Sequence, residues 1–567
     1  MLNSITTQLI EKLAEIDQAF KDIKPENFTF PPNVKMGDLS LPVFELAKEN
    51  PAEFAAKMAG KLGSNEVWEQ VEATGPYINF YLKAEVWAKE LIEGSPQPGK
   101  VGETQFPLGK GSRLRPEKVM IEYSQPNTHK EFHVGHLRNA CLGAAIVNLN
   151  KYIGDKVIAA TYVNDVGLHV AKCLWAYLKF HKDEEPKENK TNFLGKIYTE
   201  AVKKLDQDEK LKDEIDDILI KLEKKDKEIM KIWKKTQKWS IEDFERIYGL
   251  MGIQFDAWYF ESDVLNKGRK IVSQLIRQGI AKEDQGAIIV DLKKYDLDVL
   301  LILKSDGTTL YSTSDLALAY KKAKKKADKS IYIVDNRQSL YLKQIFKTLE
   351  LAGFKESMVH IPYDFVNLPE GALSSRKGNI VSFDELFNKM LEKSTKETKK
   401  RHKDWDDDKV KDIAEKISLA AIKIGMLKFG NNKVITFDMD EALSFDGKTG
   451  PYLLYTAARI NSIKEKVEKT GEADYDLLKE TEEKELLKLL ANNENEIERA
   501  YRENDPSVLC NHLFDLAQTF NDFYQKHSII RAENNELQAA RFHLAQKVGQ
   551  QLRRGLDLLN VEWLEKM

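Results

Sequence analysis

Cysteine is scarce in this chain. Only Cys141, Cys173 and Cys510 occur in 567 residues, far apart and odd in number. That excludes a disulfide framework and a zinc-ligand cluster. No uncharged apolar run reaches the length of a membrane-spanning helix. The opening stretch MLNSITTQLIEKLAEIDQAF places apolar and charged residues at helical spacing and lacks the basic, apolar and small-residue zones of a secretory leader. A reduced, cytoplasmic protein with no membrane partner is the expectation. Net charge is also small, at −3. Bulk charge therefore neither announces nor excludes a polyanionic partner, because the field of a local patch decides docking. Internal repeats and low-complexity segments are missing as well.

What is present suffices for large cores: 42% of residues are hydrophobic, and the length suggests three or four domains. Residues 1 to about 100 read as a small α+β unit, ending in a turn and strand at GPYINFYL. Residues 95–117 are rich in Gly, Pro and charge, which predicts a linker. From Lys118 the pattern becomes strand (VMIEYS), loop, helix (LRNACLGAAIVNLNKYIG) and strand (KVIAATYVND). This is a βαβ unit of a parallel sheet, with its site expected at the carboxyl ends of the strands. Residues 182–250 are dense in Lys, Asp and Glu at helical spacing and predict an inserted helical segment with solvated faces. After Gly286 the runs AIIVDL and VLLILK are read as strands that resume the doubly wound sheet, followed by SIYIVD and SMVHIPYDFV. A helix is expected from about Asp315. Beyond residue 405 the pattern is helical almost throughout.

The sharpest local signal is His133-Val134-Gly135-His136, between a strand and a helix. First-turn amides and the helix dipole favour a phosphate there. Two imidazoles can donate hydrogen bonds to a polyphosphate as charge moves onto the leaving group. Gly135 would let a flat base lie on the backbone, since no Cβ intrudes. The alternative is a His pair that merely caps or packs the helix, and the strand–loop–helix context speaks against it.

The tetrad resembles the first signature of class I aminoacyl-tRNA synthetases. The stretch Glu122-Tyr123-Ser124-Gln125-Pro126-Asn127-Thr128-His129-Lys130 before it is similar to the arginyl family's E-x-S-x-P-N-x-x-K. The resemblance implies that Glu122 and Asn127 face the amino acid, and that Lys130, His133 and His136 face the ATP phosphates. The second signature of the class normally reads K-M-S-K-S. Here the matching segment is Ala372-Leu373-Ser374-Ser375-Arg376-Lys377-Gly378-Asn379, with both signature lysines replaced. In the arginyl family the lysine upstream of the first motif substitutes, and Lys130 holds that place. Ser374, Ser375, Arg376 and Lys377 are the remaining ATP contacts implied there, although the segment alone is an ordinary basic turn.

A guanidinium is a planar, permanently charged fork, so choosing it needs carboxylates in bidentate geometry. Tyr311-Ser312-Thr313-Ser314-Asp315 is similar to the family's Y-x-T-x-D segment. That likeness assigns Asp315 and Glu122 to the guanidinium, Tyr311 to the pocket wall and Gln338 to the α-amino group. By residue type alone, Asp315 fits a helix N-cap, Tyr311 a cross-strand partner and Gln338 a solvated first-turn residue. GPYLLYTAARINSI and DPSVLCNHLFDLAQTFNDFY resemble the family's anticodon-binding bundle, with Tyr455 and Arg459 as tRNA contacts. Tyr77 and Asn79 stand where the family's N-terminal domain meets the tRNA D-loop.

The expectation is an α/β protein with a class I, Rossmann-type parallel-sheet core, an α+β N-terminal domain and an all-α C-terminal bundle. Its domains would be 1–100, contacting the D-loop, 118–404, catalytic with a helical insertion near 182–285, and 405–567, binding the anticodon. The implied reaction joins L-arginine to tRNA(Arg) with ATP and Mg2+, with no protein metal site, in a monomer. The rival readings are another class I synthetase, a small-molecule nucleotidyltransferase and a non-catalytic tRNA-binding relative. The acidic pocket, the chain length and the intact Lys130, His133 and His136 respectively speak against them.

Overall fold

The computed structural model describes residues 2–32, 34–93, 116–182, 184–369, 381–467 and 471–567. They form two compact units. One holds the described residues of 1–114 together with 404–424 and 443–567; the other holds 115–403 and 425–442.

The chain opens with α1 (Leu2–Ile16), β1 (Leu39–Pro42), α2 (Pro51–Leu62), β2 (Trp68–Thr74), β3 (Tyr77–Leu82) and α3 (Ala84–Glu93). Asn50 caps α2 by accepting from the Glu53 amide, and Pro51 takes the first helical position. The three strands form an antiparallel sheet in the order β1-β3-β2, with Ile78, Phe80 and Leu82 buried.

The second unit is built on β4 (Lys118–Glu122), α4 (Val134–Ile153), β5 (Lys156–Val163) and α5 (Leu168–Phe180). Three helices follow: α6 (Lys190–Gln207), α7 (Leu211–Glu223) and α8 (Lys227–Leu250). Their apolar stripes close over Leu174, Ile197, Ile215, Trp233 and Trp239, leaving the charged faces outward. The helical part of the span read as an insertion ends here, because β6 (Ala257–Phe260) joins the central sheet. Next come α9 (Leu265–Arg277), β7 (Lys282–Asp284), β8 (Ala287–Asp291), β9 (Val299–Leu303) and α10 (Tyr311–Lys322). Then β10 (Lys329–Asp335), α11 (Ser339–Leu351), β11 (Ser357–Tyr363), β12 (Val366–Asn367) and α12 (Phe383–Arg401) complete the run.

Among the described residues the central sheet has five strands in the order β11-β10-β4-β5-β6, all parallel. Strand order reverses between β4 and β10, and a parallel sheet opens its ligand crevice at such a switch point. Helix α4 is buried on nearly every side, and Gly143 lets it approach β4. A Cβ there would stand 2.1 Å from the Tyr123 ring.

Two sequence expectations are corrected. AIIVDL and VLLILK do not resume the parallel sheet; β8 and β9 pair antiparallel with β7 in a separate three-stranded sheet. An apolar run of this length suits either sheet type, and β9 alternates in burial as a one-faced strand does. Helix α10 starts at Tyr311, four residues before the expected start. The Leu310 amide is met by Thr313 Oγ1, so Asp315 lies inside the helix and is not its cap.

The remaining elements are α13 (Asp407–Leu427), β13 (Ile435–Thr436), α14 (Met439–Ala442), α15 (Gly450–Lys466), α16 (Thr481–Glu503), α17 (Pro506–Lys526) and α18 (Asn535–Leu558). Leu453, Leu486, Leu490, Leu513, Phe520, Leu544 and Leu552 fill the bundle core. Arg541 pairs with the fully buried Glu483 at 2.7 Å. Bundle and N-terminal sheet domain share one unit: the Tyr475 hydroxyl bonds Glu93 on α3 and His543 on α18.

Candidate functional site

The loop between β4 and α4 is held in an unusual backbone. Ser124, Gln125 and His129 all have positive φ, at 75°, 28° and 61°. Non-glycine residues keep such angles only where the surroundings over-determine them, and these cluster at functional sites. Here the anchors are visible. The Ser124 amide donates to Asn139 Oδ1 on α4, and the Asn139 side-chain amide donates to Gln125 Oε1 and the Ile333 carbonyl. The His129 amide donates to Ser240 Oγ, while its ring meets Thr128 and Thr236.

At the start of α4 the two signature histidines cap the helix reciprocally. The Gly135 amide donates to His133 Nδ1 at 3.1 Å, and the His133 amide donates to His136 Nδ1 at 3.3 Å. The rings stack with centroids 3.8 Å apart. Because both Nδ1 atoms accept, each neutral ring carries its proton on Nε2. Burial, aided by the Lys130 charge, lowers His133 to about 4 and His136 well below its ordinary value. The pair is thus a neutral donor pair. Gly135 has a role beyond admitting a base: a Cβ would meet the His133 ring at 3.0 Å. The Lys130 ammonium lies 4.8 Å from the Tyr198 ring centroid on α6, its pKa lowered by burial and by Lys172.

Residues 372–379, the expected second signature with Ser374, Ser375, Arg376 and Lys377, lie outside the described residues. Both flanks are described. The Arg138 guanidinium on α4 donates to the carbonyls of Asp364, Phe365, Gly430, Asn431 and Lys433. On the other flank, Phe383 N–H donates to the Phe132 carbonyl and Val134 N–H to the Val381 carbonyl.

The second centre is acidic. Glu122 ends β4, Asp165 follows β5, and Glu261 follows β6, so three carboxylates sit at carboxyl ends of adjacent parallel strands. Asp315 on α10 joins them and accepts from the Tyr341 hydroxyl. Burial, with the Glu122 charge, raises Asp315 to about 6. Burial, with the charges of Asp315 and Asp165, raises Glu261 to about 8. Tyr162 is raised by burial and by all four acids. Asp165 is tied down by Ser262 and Gln237, at 2.6 to 2.9 Å. Buried neighbouring carboxylates with raised pKa values mark a candidate functional site.

Family models place this chain. One described as "tRNA synthetases class I (R), catalytic domain" matches residues 108–439. "DALR anticodon binding domain" matches 453–567, and "Arginyl tRNA synthetase N terminal domain" matches 3–82. The arginine--tRNA ligase of Bdellovibrio bacteriovorus is 38% identical over 557 residues, covering 95% of this chain and 93% of that protein. The chain belongs to the arginyl-tRNA synthetase family. The arginine--tRNA ligase of Clostridium perfringens is 35% identical over 98% of this chain and 99% of its own length. The solved arginyl-tRNA synthetase of Thermus thermophilus superposes over all of both chains with a TM-score of 0.81 at 27% identity.

The other positions read from the arginyl resemblance fall as follows. Asn127 forms a parallel bridge with Asn164 beyond the end of β5. Tyr311 is 70% exposed, and burial of part of its ring with the Glu261 charge raises its phenol. Gln338 is exposed at the start of α11. Tyr77 is 38% exposed, edge-on to the exposed Phe44 ring at 5.6 Å. Asn79 is corrected: it is 2% exposed, with its amide bonded to Ser40 and Thr74, so it is not a surface contact. An inward-facing strand position looked polar only because its partners lie on other strands. Arg459 lies over the Tyr455 and Tyr524 rings and bonds Asn521.

Sequence reasoning missed Glu261, Asp165, Tyr341 and Lys322. Glu261 could have been found from its place directly after a strand. Tyr341 and Lys322 carry no local signal. His169 was also missed; its Nε2 has no hydrogen-bond partner among the described residues, and burial, with the nearby Lys130 charge, lowers its pKa.

Proposed function

We propose that the chain is an arginine--tRNA ligase: it activates L-arginine with ATP and transfers the arginyl group to the 3′ end of tRNA(Arg). The observation that carries this reading is the pairing of two centres on one sheet edge. A neutral His133/His136 donor pair with Lys130 sits at a helix start, and Asp315 and Glu261 sit with raised pKa values in a tyrosine-lined acidic cluster.

In this mechanism the guanidinium lies between Asp315 and Glu261, with Glu122 and Tyr311 at the same pocket. Asn127 and Gln338 orient the α-amino end. The arginine carboxylate attacks the α-phosphorus in line, and pyrophosphate leaves. His133 and His136 donate Nε2–H to the oxygens that gain charge, and Lys130, in the loop that leads into α4, neutralises them. Ser374, Ser375, Arg376 and Lys377 complete the phosphate contacts; the anchored flanks at Asp364–Phe365 and Val381–Phe383 support this assignment. Magnesium brought in with ATP would be held by the phosphates rather than by a protein cage, and would supply charge neutralisation there. No covalent enzyme intermediate is needed; positioning and charge stabilisation do the work.

Residues 118–404 carry the chemistry, with the helical insertion near 182–285 as part of that domain. Residues 405–567 bind the anticodon arm, with Tyr455 and Arg459 as contacts, and 1–100 meet the D-loop through Tyr77. A monomer in the cytoplasm completes the reading. Charging assays with twenty amino acids against total tRNA test it: arginine alone should be esterified, onto tRNA(Arg) alone. Charging of another amino acid, or none, would overturn it. Activation should also need tRNA, so purified enzyme free of RNA should show almost no ATP–pyrophosphate exchange with arginine.

A further inference from the structure

Lys322 closes α10 seven residues after Asp315, which puts both on one face of the helix, two turns apart. Its side chain is 3% exposed and pairs with that of Glu122, which is 7% exposed. The ammonium also lies over the Tyr332 ring, 4.6 Å from its centroid, and 5.9 Å from that of Tyr259. A lysine at this depth costs free energy unless its partners are close, so its place needs a reason.

Charge counting supplies one. Glu122, Asp315 and Glu261 are coupled: the Glu122 charge raises Asp315, and Asp315 raises Glu261. An arginine side chain brings one positive charge. With Asp165 these acids make four carboxylates, so full ionisation would leave a surplus of three negative charges around one guanidinium. Lys322 neutralises one of them, and its charge lowers Asp315. It also occupies Glu122 with a compact ammonium. A substrate that offers only a point charge, such as lysine or ornithine, then finds that carboxylate taken. Asp315 and Glu261 remain for a planar fork that can address both at once.

We propose that Lys322 is a resident counter-ion that reduces the negative surplus of the pocket and withholds Glu122 from ammonium substrates. It is a positioning and specificity residue, and it touches no reacting atom. This rests on the arginine-pocket reading above.

The test uses the full-length chain with tRNA(Arg) transcript. Lys322→Gln keeps a hydrogen-bond donor and removes the charge. It should raise kcat/KM for lysine or ornithine relative to arginine by about tenfold or more, the size of one lost charge discrimination. It should also move the acid limb of the arginine kcat/KM profile to higher pH, with the ATP KM within about twofold. Lys322→Arg should restore both readouts.

A charge cycle gives a second arm should Lys322→Gln fold poorly. Glu122→Gln strands the Lys322 ammonium and should raise the arginine KM about a hundredfold, as loss of one partner of a buried pair does. Adding Lys322→Met removes the stranded charge, and the double variant should recover at least about tenfold of that loss. The inference is overturned if selectivity and acid limb stay unchanged in Lys322→Gln. It is equally overturned if the double variant binds arginine no better than Glu122→Gln, which would mark a purely structural pair. If Asp315→Ala also left the arginine KM untouched, the pocket reading itself would fail, and the two failures are thereby told apart.

Discussion

A carboxylate held away from water binds a cation most strongly when the cation brings a matching set of donors. Asp315 is in that position: largely enclosed, with one oxygen already bonded by Tyr341. Asp315→Ala should raise the arginine KM about a hundredfold or more, following the roughly 3 kcal/mol or more lost with one partner of a buried charge contact. The ATP KM should stay within about twofold, because the phosphate donors proposed on α4 do not depend on that side chain. Steady-state charging kinetics with each substrate varied in turn would check this; equal small rises in both constants would count against the guanidinium pocket. At this scale the sequence was readable where chemistry is encoded contiguously. Glu122, Lys130, His133 and His136 stand in one stretch from the end of β4 to the start of α4, so the arginyl resemblance could name them together. Glu261, Tyr341 and Lys322 reach the same pocket from three other segments, and no local pattern marks them. Asn79 misled for the converse reason, since its partners Ser40 and Thr74 sit on separate strands.

Helix α4 is the element on which the site depends. Its first turn is capped by its own histidines, its third turn leaves room for Tyr123 at Gly143, and Arg138 between them reaches five backbone carbonyls. Those carbonyls belong to 364–365 and 430–433, and β12 and β13 pair directly beside them. Arg138→Met would remove one donor from each of these part-buried carbonyls, at about 0.5–1.5 kcal/mol each. Hydrogen exchange at the Ile435 and Phe437 amides, which donate to Phe365 and Asn367, should then speed up about a hundredfold or more. Arg138→Lys should recover only part of the protection, because one ammonium cannot reach across the same fan of acceptors. Unchanged exchange would mean that β12 and β13 hold without the clamp. The helical period of LRNACLGAAIVNLNKYIG and the strand runs on either side of it were legible, being long and strongly patterned. The β8 and β9 runs were not assignable to a sheet, because apolar content states burial but not the direction of the partner strand.

At the scale of the whole molecule, the α/β core followed from the alternation of strand and helix patterns. The shared packing of the first and last segments did not. The Glu85 amide donates to Asp476 from 391 positions away, and nothing local announces such a contact. The buried titrating groups make the stability of the chain depend on pH. Glu261 is raised to about 8 and Asp315 to about 6. A raised acid contributes stability that is fully present below its ordinary value near 4 and is lost as pH climbs through the folded value. The empty enzyme should therefore lose thermal stability from pH 6 to 8.5. His129, at about 3, and His133 and His512, at about 4, act oppositely. Their contribution is present above the ordinary histidine value near 6.5 and is lost as pH falls through the folded values. The melting temperature should therefore peak near pH 6 to 6.5. Arginine favours the ionised acids, so its binding releases protons and tightens as pH rises. The rise in melting temperature given by a fixed arginine concentration should grow from pH 6 to 8.5, and calorimetric titration at pH 7 should detect proton release in buffers of different ionisation enthalpy. An arginine-induced rise that is the same at both ends of that range would show that Glu261 and Asp315 are already ionised in the empty pocket, and the cation-waiting electrostatics argued from their burial would not hold.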